Sequence, residues 1–134
     1  MLGNDDRAFL ERLEACQFQN AGFHHYDHLR AAWSYIQCVG VDGAIGKVEQ
    51  SIRSFAAHHG QPEKFHVTLT TLWVKLVNAH SARHPHAAFV SFIAEHPRLL
   101  EKDLPLRFYS RTQLLSDAAR MRWIEPDLRA LPSP

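Results

Sequence analysis

"VDGAIGKVEQSIRSFAAHHG", residues 41–60, carries apolar side chains at Ile45, Val48, Ile52, Phe55 and Ala56. Those three- and four-residue steps are the period of a helix that buries one face. Asp42 supplies an N-cap and Gly60 a C-cap, so the stretch reads as one complete amphipathic helix. The same period extends to both sides. Leu29, Ala32, Trp33 and Ile36 predict a helix over about 24–38, ended by Gly40 and the "VDG" that follows. Phe65, Leu69, Leu72, Trp73, Leu76 and Val77 mark a strongly amphipathic helix that ends near Arg83. Phe89, Phe92 and Ile93 mark a shorter one over about 85–95, stopped by Pro97, because proline disfavours helix in the residue before it. At the start, Phe9, Leu10, Leu13 and Cys16 follow the Asn4/Asp5/Asp6 start signal and predict a helix over 5–16.

Beyond residue 97 the period fades. "PRLLEKDLPLRFYS" (97–110) has two prolines and reads as a structured connector, after which Ser110 and Ser116 are N-caps for two short helices, "RTQLL" and "DAARMRW". Residues 126–134 read as a tail. No alternating strand pattern, repeat or low-complexity tract interrupts this organisation. The expected fold is therefore all-α: one domain over 1–134, a compact bundle of four to five main helices with short C-terminal helices.

Composition narrows the function classes. The chain is 46% hydrophobic and 22% charged, ordinary globular usage. Fifteen Lys plus Arg nearly cancel fourteen Asp plus Glu, so no basic field is available to attract nucleic acid or an anionic membrane. The apolar runs are short and the N-terminus is charged from position 5, which predicts neither a spanning helix nor a signal peptide and places the protein in the cytoplasm. Cys16 and Cys38 lack CxxC spacing and read as small apolar fillers in a reducing compartment. No P-loop, dinucleotide fingerprint, nucleophile elbow or cysteine zinc pattern occurs. Histidine stands out, with ten residues suited to metal ligation or proton transfer.

Helical phase sorts those histidines. With Leu29 at zero and about 100° per residue, His25 falls between Ile36 and Ala32, and His28 lies about 40° beyond Ala32 at the stripe edge, while His24 and Asp27 point away. His25 and His28 therefore share a face at i, i+3 spacing. On the helix that starts near Phe65, His66 is flanked by Trp73 and Val77, with Thr70 one turn on. A lone histidine at a stripe edge is most often a hydrogen-bonded boundary residue. Two inward histidines one turn apart instead need partners, which a metal provides. His59 reads as structural at a helix C-terminus, and His58, His80, His84, His86 and His96 as solvated surface. Trp33 and Trp73 read as core anchors, either of which also suits a pocket wall.

With these residues in view, the chain resembles a family of small bacterial proteins with no assigned activity, whose shared text is FxHxxHLxxAW followed by a YHETxT segment. The matching stretches are "FHHYDHLRAAW" (23–33), "GQPEKFHVTLT" (60–70) and "FYSRTQLLSDAARMRWIEPD" (108–127). The resemblance implies that His25, His28 and His66 are motif positions, together with Thr68, Thr70, Tyr109, Ser110, Ser116 and Arg120. One position departs: the glutamate that follows the motif histidine is Val67 here, so that either Glu63 or Asp27 substitutes for its carboxylate or the chemistry differs.

The resulting expectation is a histidine-ligated metalloprotein, a metal-dependent enzyme acting on a small molecule. His25, His28 and His66 would hold one divalent first-row metal (Fe, Zn, Mn, Cu or Ni), and Thr70, Tyr109 and Arg120 would contact substrate or outer-shell water, Arg120 being suited to a carboxylate. The expected partners are a small-molecule substrate, no nucleic acid, no membrane, and a second copy of the chain if an exposed helix face pairs. Two alternatives stand beside it. One is a metal-free module that binds a small ligand or partner helix in the same cleft; the other is acid/base catalysis by a histidine pair oriented by Asp27, against which the phase of Asp27 argues.

Overall fold

The computed structural model describes residues 2–134, and among them every regular element is helical. α1 spans Asn4–Glu14, α2 His25–His58, α3 Val67–Ser81, α4 Phe89–Glu95, α5 Arg111–Leu114 and α6 Asp117–Met121, with four short 3-10 turns between them. α2 is the spine: α1, α3 and α4 pack against it, and α6 lies against α3. None of the described helices is long and apolar enough to cross a membrane.

The two helices expected over 24–38 and 42–60 are one continuous helical run, broken at Gly40 alone. Gly40 has φ 77° and ψ 175°, a region that only glycine enters without steric cost, and the helix resumes at the next residue. Asp42 is therefore exposed inside a helix rather than serving as an N-cap. The two arms are tied to α1 by Tyr35 of the first arm. Its hydroxyl donates to Glu14 at 2.6 Å and lies 2.8 Å from the Ser51 hydroxyl of the second. At the far end Gly60 adopts φ 70°; its N–H donates to Ala57 O, and that of Gln61 to Ala56 O. That is the Schellman closure expected of a glycine one residue beyond the helix cap, here His59.

α1 ends the same way on a less suitable residue. Cys16 N–H donates to Leu13 O and Gln17 N–H to Arg12 O, which requires Cys16 to sit at φ 53°. A β-carbon in that region costs about 1 kcal/mol. Cys16→Gly is accordingly expected to raise the unfolding free energy by about 1 kcal/mol, read as a higher urea midpoint with unchanged m-value. Neither cysteine is a buried filler: Cys16 is half-buried and Cys38 exposed, both as free thiols.

α3 is more deeply enclosed than its stripe suggests. Thr68, Thr71 and Val74 are buried along with Leu72, Leu76 and Val77, because both α2 and α6 pack against it. Thr68 replaces lost water with two hydrogen bonds to the C-terminal segment, its hydroxyl donating to Arg122 O at 2.6 Å and accepting from Ile124 N–H at 3.1 Å. Ser110 and Ser116 cap α5 and α6 as their spacing predicts, accepting from Gln113 N–H and Ala119 N–H. Residues 126–134 are tethered to this body. Asp127 accepts from Ser110 N–H, Leu128 N–H donates to Phe108 O, Leu131 packs on the core, and Ser133 O accepts from Arg83.

Candidate functional site

A pocket of about 400 Å³ opens where the start of α2 meets the start of α3. Phe23, Ala32, Val48, Ile52, Phe65, Leu69, Trp73 and Val74 form most of its wall. His24, His25, His28, His66 and Thr70 line it as well, with Lys64 and Lys102. Both lysines are exposed, and no carboxylate takes part in the lining.

His25, His28 and His66 thus share one cavity, but their ring nitrogens are engaged differently. His25 donates from Nε2 to Leu99 O at 2.8 Å, and its ring packs on the Trp73 indole with centroids 4.4 Å apart. His66 is the N-cap of α3: Nδ1 accepts from Leu69 N–H at 3.1 Å while Nε2 donates to Leu114 O at 2.8 Å. Both of its nitrogens are taken, and its tautomer is set by the helix it caps. His28 rests edge-on against Phe23, with centroids 4.7 Å apart, and no described residue hydrogen-bonds to its ring. Among the described residues the three do not form a set of donor atoms close enough for a shared metal ion; the trio that does is His86, Glu95 and His96.

Three of the pocket imidazoles, His25, His28 and His66, are held neutral. Burial lowers the pKa of His28 to about 4, aided by the charge of His25 and opposed by Asp27. Burial also lowers His25, against the hydrogen bond to Leu99 and with the help of Lys102. His66 is lowered by burial first, with Leu114 opposing and Arg120 assisting.

Other expected contacts lie elsewhere. The Tyr109 hydroxyl donates to Ile124 O at 2.5 Å inside the core, and burial pushes its pKa up, so it is a structural brace outside the pocket. Arg120 donates to Glu63 O at 2.7 Å and Phe65 O at 3.4 Å, fastening α6 to the turn before α3 rather than meeting a ligand. Of the three residues expected to contact substrate, Thr70 alone lines the cavity. Glu63 and Asp27 do not replace the carboxylate absent at Val67: Glu63 is exposed, and Asp27 accepts from His24 N–H at 2.9 Å.

Two sequence readings missed part of the lining. His24 is exposed, as its phase suggests, yet it also borders the pocket, because it precedes the helix in an extended conformation (φ −111°, ψ 179°), where helical phase does not apply. Lys102 comes from the aperiodic connector, whose course only the packing determines. His59 holds the structural place expected of it, donating to Phe18 O at 3.0 Å and packing on Phe55. Comparison with family models, curated proteins and solved structures found no match to this chain.

Proposed function

We propose that the cavity between α2 and α3 binds a small organic anion with a flat apolar body, without a metal. The observation that carries this reading is the character of the lining: aromatic and aliphatic walls, histidines of which His25, His28 and His66 are held neutral, two lysines and no carboxylate around about 400 Å³. A volume of that size matches small-ligand sites, in which a few convergent polar groups orient a mostly apolar guest. Phe23 and Trp73 supply faces for a planar ring. Lys64 and Lys102 attract and hold the anionic end, while His28 and the Thr70 hydroxyl offer hydrogen bonds.

Hydrogen bonding favours this over a first-row metal held by His25, His28 and His66 in a metal-dependent enzyme. Metal ligation at Nε2 of His25 would cost its bond to Leu99, and at either nitrogen of His66 a helix cap or the bond to Leu114. Indole-3-acetate and its neutral amide separate the readings by their effect on melting temperature. At ten times its dissociation constant the acid stabilises by about 1.4 kcal/mol through mass action, and the amide by less. Lys64→Glu with Lys102→Glu removes the difference between them. Equal responses to acid and amide, or none, would sink the proposal. A zinc-induced rise that persists in a His86→Asn background and disappears with His28→Ala would establish the metal reading instead.

A further inference from the structure

A second histidine cluster lies beyond the pocket, around the break between α3 and α4. Loop spacing suggests solvated side chains there, yet His86 retains only 12% side-chain exposure. His96, the C-cap of α4, packs at a tilt on Phe92 with centroids 4.8 Å apart. His80 and His84 flank it, their centroids 4.9 and 5.5 Å from its own.

The ring atoms that matter are the two Nε2 nitrogens. Both are shielded from water, and neither has a hydrogen-bond partner. Nε2 of His86 stands 3.2 Å from a carboxylate oxygen of Glu95 without a hydrogen bond between them, and one donor atom each from His86, Glu95 and His96 lies within 4.8 Å of the other two. A buried polar nitrogen left unpaired is costly, and here two of them belong to histidines that each bring a ring nitrogen close to one carboxylate. A cation bound by the deprotonated ring nitrogens and the carboxylate would give all three side chains a shared partner. Ligands about 2.1 Å from a tetrahedral ion lie about 3.4 Å from each other, so the 3.2 Å His86–Glu95 separation already has the required size, and a His96 donor lies within 4.8 Å of both.

We propose that His86, Glu95 and His96 form a binding site for a divalent first-row metal ion of the zinc class. Two imidazoles and one carboxylate are the donor set of a three-ligand centre, which leaves a position for water or for His84. Glu95 is mostly exposed, so the ion enters from solvent on that side. The site is separate from the α2–α3 pocket and shares none of its lining residues.

Calorimetric titration of the full chain with zinc chloride at pH 7.5 tests it, using Glu95→Gln, His86→Asn and the pocket variant His28→Asn. The expected result is one ion per chain in the wild type and in His28→Asn, with affinity reduced roughly tenfold or more in Glu95→Gln and His86→Asn. Glu95 is a surface side chain, so its variant folds and keeps the test decisive. Cobalt(II) in place of zinc should add visible d–d bands that Glu95→Gln alters. No stoichiometric binding to the wild type, or wild-type affinity in either Glu95→Gln or His86→Asn, overturns the assignment.

Discussion

Asp6→Ala is expected to lower the unfolding free energy by about 3 kcal/mol, the largest effect of any single polar replacement considered for this chain. Asp6 is 4% exposed, and its carboxylate serves two distant elements. Oδ1 accepts from Arg30 Nε of α2 at 2.8 Å, and Oδ2 accepts from Phe89 N–H, at the first residue of α4, at 3.1 Å. Arg30 also donates to Asp5 O and lies over the Phe9 ring. Deleting the carboxylate leaves a buried N–H unpaired and a half-buried guanidinium without its counter-ion, and both costs fall on the folded state. Asp6→Asn keeps a carbonyl oxygen for one donor and should lose roughly half as much. Urea unfolding of both variants checks this. A loss in Asp6→Ala within the scatter of ordinary surface substitutions would show that α1, α2 and α4 are not joined through this residue.

Acid lability is the second large effect. His28 is neutral in the folded chain down to pH about 4, whereas in the unfolded chain it takes a proton near its ordinary pKa of 6.5. Above pH 6.5 both states are neutral and His28 contributes no pH dependence. Between pH 6.5 and about 4 the unfolded state binds the extra proton, so stability falls as pH falls, by up to about 1.4 kcal/mol per pH unit. Below pH 4 the effect levels off, with about 3 kcal/mol lost to this side chain. His25, His66, His80 and His96 are all lowered, chiefly by burial, and act in the same direction. His28→Gln should therefore flatten the stability profile between pH 4 and 6.5 while leaving a residual slope from the others. A wild-type urea midpoint that is level across that interval would show that His28 titrates as an exposed histidine does.

The elements themselves were legible because their period is local. Apolar side chains at three- and four-residue steps identified α1, α3, α4 and both arms of α2, and Ser110, Ser116 and Gly60 marked ends by chemistry confined to a few neighbouring residues. The site was legible in part. Helical phase placed His25 and His28 on the inner face, and both line the pocket, but phase says nothing about what else competes for a ring nitrogen. His66 illustrates the gap: its flank was read from its own helix, while its bonds to Leu69 N–H and Leu114 O depend on its being the cap and on α5 arriving beside it. Tyr109 and Arg120 were misplaced for the same reason, since their partners Ile124, Glu63 and Phe65 are brought to them by chain segments without any period.

What the amino-acid order determined by itself was the all-α class, the helical segments and most of their caps, because each rests on contacts within a turn or two of the chain. Tertiary structure alone decided that Gly40 breaks one helix instead of separating two, and that Asp6 is a buried junction as well as a helix-start residue. It also decided that His86 and His96 gather beside Glu95 and that the Nε2 of each histidine is left unpaired. Those outcomes depend on which surfaces desolvate one another. Burial and pairing between residues such as Asp6 and Phe89, 83 positions apart, have no signature in local spacing.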